Sequence, residues 1–175
     1  MTQRLLRLPP ILLALAALAL ATAQDRPATL ADAIRAEPEL TELASLLEES
    51  GLLDDLAGPM RITFFAPSDL ALERLDPATH ELLLRDRGVL DLIVRHHLVL
   101  GASPLSALRH LDALTTLEGT RLNVSDVGGT VRIDGTRLVN DGVATGNGVL
   151  YVVNRVLLPD AATMRKDLLG GPGAP

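Results

Sequence analysis

Apolar positions in the first half of the chain recur at helical spacing, whereas the second half carries short apolar bursts. From Thr29 to about Leu56, Leu30, Ala33 and Ile34 share one face, Pro38 interrupts, and Leu40, Leu43 and Leu47 resume the stripe as far as Ser50. Thr29 followed by Asp32 has the form of a helix-start box, and Gly51 stands where a left-handed C-cap belongs. "LLDDLAG" adds a short helical turn, and "RITFF" predicts a strand that Pro67 ends. Ser68 is then a natural N-cap for "DLALERL", with Asp69 at the positive end of that helix. Asp76-Pro77 starts another helix by the same logic. "VLDLIV" predicts a buried helix running into "HHLVLG", a strand stopped by Gly101.

After Leu114 the pattern changes to "TRLNVS", "TVRI", "TRLV" and "GVLYVVNRVLL". Gly128-Gly129 and Asp134-Gly135 separate these bursts as hairpin turns, "GNG" at 146–148 is a further tight turn, and Pro159 ends the last strand. Helices first and strands second predict an α+β fold, with the helices packed on a mainly antiparallel β-sandwich or meander. The chain shows no internal repeat.

The two ends read differently. Arg4 and Arg7 precede the apolar run "ILLALAALAL", and Ala21-Thr22-Ala23 offers small residues where a signal peptidase cuts. The expectation is a cleaved export signal over residues 1–23, a linker over 24–29, one domain over 30–160 and a tail over 161–175. The tail has room for one helical turn before a disordered "GGPGAP". The alternative for the leader is a retained anchor, but a spanning helix needs about 20 apolar residues. An export signal ahead of one small domain, with no cysteine, suggests a bacterial exported protein in the periplasm, in the medium or on the cell surface.

Composition then removes several function classes. Hydrophobic residues make up 47% of the chain but aromatics only 2%, so Leu, Val, Ile and Ala must build the core. So few rings argue against a base-stacking nucleic-acid platform and against sugar sites built on aromatic faces. A net charge of −6 lacks the basic footprint of a nucleic-acid binder, and without Arg4 and Arg7 the chain is more acidic still. That charge also works against stable association with anionic lipid. With no Cys there is neither a disulfide nor a thiolate nucleophile.

Two catalytic arrangements merit weighing. A hydrolase would join Ser68 to His97 and to Asp69 or Asp91, but the chain has no G-x-S-x-G elbow, and helix capping already accounts for Ser68 and Asp69. A metal site would draw on His80, His96, His97 and His110. However, "HELLL" lacks the second histidine of H-E-x-x-H, and neighbours on a strand would point to opposite sides. The simpler expectation is one exposed and one buried histidine at 96–97. No phosphate loop or EF-hand pattern occurs, so no cofactor or metal is expected. "NVS" at 123–125 matches a glycosylation acceptor, which matters only in a host that uses it.

Three segments in order resemble the fasciclin-like domain family. "TFFAPSDLAL" is similar to its first signature, a strand followed by F-A-P-[ST]-D-x-A-F. "LDLIVRHHLVLG" resembles the central segment, where a Tyr-His pair precedes a short strand and Gly, and "GNGVLYVVNRVLLP" resembles the last signature. "LEGTRLNV" falls where the family has a similar strand entry. The likeness spans roughly Leu30 to Pro159. Here His96 stands for the usual Tyr, Leu72 for a Phe, Tyr151 for a His and Asn154 for an Asp, and "NDGVATG" lacks the Asp-Ile pair of animal adhesion sites.

The resemblance implies a compact fasciclin-like wedge in which Phe65, Ala66, Pro67, Ser68, Asp69, His97, Asn147, Gly148 and Pro159 serve as structural motif positions. It further implies that His97 hydrogen-bonds inside the fold, near Asp69. The implied function is a non-catalytic adhesion module that binds a protein, matrix or polysaccharide partner. Its candidate surface is the "HHLVLG" strand and the 140–148 loop, namely His96, Leu98, Asp141, Val143 and Tyr151. The alternative is a periplasmic carrier or sensor holding a small lipid or polysaccharide fragment between helices and sheet.

Overall fold

The computed structural model describes residues 27–159, so the expected leader and tail lie outside the described residues. The helical layer begins with α1 (Leu30–Ala36), a 3-10 turn (Pro38–Leu40), α2 (Thr41–Ser50) and α3 (Leu52–Leu56). The Thr29–Asp32 box closes in both directions, with each side chain bonded to the other residue's backbone. Strand β1 (Ile62–Pro67) leads into α4 (Asp69–Glu73), α5 (Pro77–Arg85) and α6 (Arg87–His96). Then come β2 (Leu98–Leu100), α7 (Leu105–Leu108), β3 (Ala113–Thr115), β4 (Arg121–Val127), β5 (Thr130–Ile133), β6 (Thr136–Arg137), β7 (Val143–Ala144) and β8 (Gly148–Val153).

The strands form two four-stranded sheets in the orders β2-β1-β8-β7 and β3-β4-β5-β6. The second sheet is the expected antiparallel meander. Its hairpin glycines Gly128 and Gly129 both have positive φ, as a two-residue turn between right-twisted strands requires. The last strand departs from that expectation. β8 leaves the meander and pairs in parallel with β1, from Ile62 opposite Gly148 to Pro67 opposite Val153. The two sheets also touch at both sides, through bridges between Val99 and Thr116 and between Leu138 and Val153.

Both central strands are buried on both faces, and their alternation feeds two cores. Ile62, Phe64 and Ala66 of β1, with Leu150 and Val152 of β8, face the helices and pack with Leu30, Ile34, Leu47 and Ile93. Phe65 of β1, with Val149, Tyr151 and Val153 of β8, faces the second sheet and packs with Leu122, Val131 and Ile133. A strand covered on both faces reads as a continuous apolar run, which is why "ITFFAP" and "GVLYVV" lack polar alternation.

A second departure lies at the histidine pair. The helix expected to stop before His96 continues through it, and His97 is its C-cap, bonded back to Ile93 and Val94. β2 therefore begins at Leu98, with the histidines on a helix end rather than along a strand.

Parallel pairing brings Gly148 against Ile62 so closely that a Cβ would sit 2.0 Å from the Ile62 carbonyl oxygen. Backbone cannot yield as a flexible side-chain tip can. Gly148→Ala is expected to lower stability by at least about 1–3 kcal/mol, the usual cost of overpacking. Thermal denaturation of the two proteins checks this, and an unchanged melting temperature would refute the tight seat.

Candidate functional site

The first signature is an internal joint. Ser68 is buried, and its Oγ accepts from the Ala71 amide at 3.2 Å as the N-cap of α4. Asp69 does more than complement its own helix. Its carboxylate oxygens accept from the Thr41 and Glu42 amides at 3.1 and 3.0 Å. Helix α2 starts from Leu40, which offers no capping side chain, so Asp69 supplies that cap from a distant segment. Phe65, Ala66 and Pro67 are buried in β1 immediately before this joint.

The histidines follow the same logic. His96 and His97 are 4% and 1% exposed, so both are interior and the expected exposed member does not exist. His97 donates from Nδ1 to the Ile93 carbonyl at 2.7 Å and accepts at Nε2 from the Leu157 amide at 2.9 Å. A carbonyl can only accept and an amide N–H can only donate, so these partners select the neutral Nδ1–H form. Burial, with a smaller push from His96, lowers the His97 pKa to about 4 against the Ile93 bond. The implied His97–Asp69 contact is not made, because each residue has its polar atoms committed to backbone elsewhere. With Nε2 occupied and the Ser68 hydroxyl capping a helix, the pair lacks the nucleophile–base geometry of a hydrolase.

His96 turns the other way. Its Nδ1 lies 2.9 Å from Glu118 Oε2 and 2.8 Å from Thr120 Oγ1, and Thr116 Oγ1 is 2.8 Å from that same hydroxyl. The cluster ties the end of α6 to the β3–β4 turn. Among the described residues no group of three His, Cys, Asp or Glu is placed to hold a metal ion.

The last signature is anchored by Asn147, which is buried with four hydrogen bonds. Its Oδ1 accepts from the Leu30 amide at 2.8 Å and the Thr145 hydroxyl at 3.1 Å, while Nδ2 donates to the Leu56 and Gly58 carbonyls at 2.8 Å each. One side chain thus joins the start of α1, the end of α3 and the β7–β8 turn. Tyr151 is fully buried and stacks on Phe65, its cross-strand neighbour, at 5.6 Å between ring centroids and 21° between planes. Its hydroxyl donates to the Ser103 carbonyl at 2.9 Å, and burial, with the Asp141 charge, raises its pKa to about 12. Pro159 is buried at the end of the described chain.

These placements correct the candidate interaction surface. His96, Leu98 and Tyr151 are interior: His96 bonds to the β3–β4 turn, Leu98 of the edge strand β2 packs into the helix-side core, and Tyr151 lies on a central strand covered on both faces. Asp141 is exposed and Val143 half-buried, so only the 140–148 loop offers part of the expected surface. A cleft of about 450 Å³ instead lies beside Ser68 and Asp69, lined by Leu70, Arg74, Arg137 and Val139. It adjoins one of about 580 Å³ lined by Arg74, Arg155 and Leu158. These residues come from α4 and its C-cap, from β6 and the residues just after it, and from the segment after β8, and no local sequence pattern links them.

Two outcomes test these ties. Asn147→Asp keeps both accepted bonds but turns an anion onto the Leu56 and Gly58 carbonyls. It is expected to cost about 1–3 kcal/mol or more, the price of a stranded buried polar group, read from urea denaturation. His97 should also make stability pH-dependent. Its folded pKa near 4 lies below the ordinary 6.5, so the unfolded chain binds the proton more readily between those values. The contribution, roughly 3 kcal/mol at 1.36 kcal/mol per pKa unit, is present above pH 6.5 and is lost as pH falls toward 4. His97→Ala should be less stable at neutral pH by about 1–3 kcal/mol and lose less over that interval. Parallel pH curves for the two proteins would overturn the assignment.

Comparison with known proteins places this geometry. The family described as Fasciclin domain matches residues 38–159. Human periostin is 26% identical over 140 residues, covering 79% of this chain and 17% of periostin. Porcine transforming growth factor-beta-induced protein ig-h3 is 32% identical over 130 residues, covering 74% of this chain and 19% of that protein. The immunogenic protein MPB70 of Mycobacterium bovis is 30% identical over 130 residues, covering 71% of this chain and 65% of MPB70. The chain thus spans less than a fifth of the two animal relatives and just under two thirds of the mycobacterial one. A solved pair of FAS1 domains from the insect cell adhesion molecule fasciclin I superposes with a TM-score of 0.66 at 18% identity, covering 82% of this chain and 53% of that one, and shares the fold. With the family match over most of the described residues and its signature side chains forming the joints of the fold, this chain belongs to the fasciclin domain family.

Proposed function

We propose that this protein is an exported interaction module that acts by adhesion, binding a protein or matrix partner through its surface rather than transforming a substrate. One observation carries the proposal: the polar side chains of the signatures, Ser68, Asp69, His97 and Asn147, all make hydrogen bonds to backbone groups of the fold. Biological contacts are then left to the exterior. Support comes from relatives whose names place them at cell surfaces, including the cell surface glycolipoprotein MPB83 of Mycobacterium bovis, 32% identical over 144 residues. The fasciclin I pair comes from a molecule named for insect cell adhesion. Export rests on Arg4, Arg7 and the apolar run that follows them, and leaves periplasm, medium and cell surface as destinations. Among the described residues no helix is long and apolar enough to cross a membrane.

The carrier reading finds less support. The space between the helices and the first sheet, lined by Leu43, Phe64, Leu90 and Ile93, amounts to about 10 Å³. That is well short of the several hundred Å³ of a ligand pocket.

Immobilised full-length protein is expected to retain a protein or matrix component from the surface fraction of its source cells. Retention should persist for His97→Ala at neutral pH, provided that variant is folded. Failure to retain any surface protein or polysaccharide would count against the module reading, and turnover of an ester substrate abolished by Ser68→Ala would replace it.

A further inference from the structure

The exterior is not uniform. The cleft beside α4 and its larger neighbour share Arg74, while the first also shares Arg137 and Val139 with a third, smaller cleft of about 190 Å³. The first cleft therefore adjoins both of the others, and a ligand that contacts all three must extend from one to the next. Among the described residues, the guanidinium groups of Arg74, Arg137 and Arg155 have neither an ion pair nor a hydrogen bond, unlike Arg35, Arg85, Arg95 and Arg109. All three are exposed, on a chain whose net charge is −6.

Carboxylates line the same groove, but most are already committed. Asp69 caps α2, Asp76 accepts from the Thr79 amide at the start of α5, and Asp134 accepts from the Asn123 amide and side chain. The helix N-termini at Asp69 and Asp76 offset those two charges. Glu39 and Asp141 remain as acidic flanks that restrict where an anion can sit. The three arginines thus hold charged donors that nothing in the fold uses, in the fork geometry that matches a carboxylate, and the Asn140 amide nitrogen in the third cleft is likewise unpartnered.

Apolar anchors stand between them. Leu70, Val139 and Leu158 are 60%, 41% and 43% exposed and line the same clefts as the arginines. The three aromatic rings of the chain, Phe64, Phe65 and Tyr151, are all fully buried, so a sugar's apolar face finds no ring here. A densely charged polyanion would also meet repulsion from the acidic chain, whereas a few spaced carboxylates would not.

Resting on the interaction-module reading, we propose that this groove binds an extended acidic peptide segment of a partner protein. Its carboxylates pair with Arg74, Arg137 and Arg155, and its aliphatic side chains seat on Leu70, Val139 and Leu158. The groove is the surface through which the module recognises its partner.

Fluorescence anisotropy with the full chain and a labelled capped peptide of alternating glutamate and leucine tests this. The expected result is saturable binding that weakens with salt, is absent for the glutamine–leucine peptide, and weakens roughly tenfold or more when charge-assisted pairs are lost in the triple variant Arg74→Gln, Arg137→Gln, Arg155→Gln. These side chains make no internal bond, so the variant should keep the parent's melting temperature. A control, Arg35→Gln with Arg85→Gln, should bind as the parent does. Leu70→Ser with Val139→Ser should weaken binding even at high salt.

The proposal is overturned if the peptide does not bind, if the triple variant binds it equally well, or if polygalacturonate binds more tightly in an arginine-dependent way, which would make the ligand an acidic polysaccharide. Retention of surface partners by both the parent and the triple variant would sink the groove while leaving the module reading intact. Loss of all retention by the parent would sink the module reading itself.

Discussion

The parallel pairing of β1 with β8 is the constraint on which the rest of the molecule depends. It joins residues 62–67 to 148–153 across most of the domain, and it puts both strands in the middle, with helices on one side and the meander on the other. Neither core can close without it. The pairing is seated at its start by Gly148, which lets the two backbones approach, and by Asn147, which ties the same corner to α1 and α3. At its centre Phe65 and Tyr151 stack, a geometry worth about 0.5–1.5 kcal/mol beyond their burial.

Around that pair, buried polar side chains act as long-range fasteners. Asp69 caps a helix that has no cap of its own, His97 links the end of α6 to the chain after β8, and the cluster of His96, Glu118 and Thr120 links α6 to the second sheet. Each connects elements distant in sequence, so each helps select one arrangement of helices on sheet. A buried polar atom without its partner is costly, and the correct packing satisfies these atoms together. The same commitments give Ser68 and His97 structural partners inside the fold.

The exterior combines free arginines with aliphatic side chains along adjoining clefts, on an otherwise acidic molecule. The motif side chains and the groove side chains thus divide the work. The former are committed inside the fold, and the latter keep their donors and apolar surface exposed.

How much of this was legible beforehand depended on the range of each interaction. Local physics is written in neighbouring residues: the Thr29–Asp32 box, the Ser68 and Asp76 caps, and the Gly128-Gly129 hairpin all follow from side chains within three or four positions. The α+β division and the three ordered signatures were readable for the same reason. The polar residues at 95–97 suit a helix end or an exposed strand equally well, and only the packing of α6 decides between them. The candidate surface at Leu98 and Tyr151 failed because a strand's sequence does not say how many of its faces are covered. Residue type and spacing alone determined the caps, the turns, the family and the absence of a nucleophile motif. Tertiary structure alone decided the parallel partner of β1, the recipients of the Asp69 and Asn147 hydrogen bonds, and the meeting of Arg74, Arg137 and Arg155, because each joins residues separated by tens of positions, whose proximity exists only once both cores have formed.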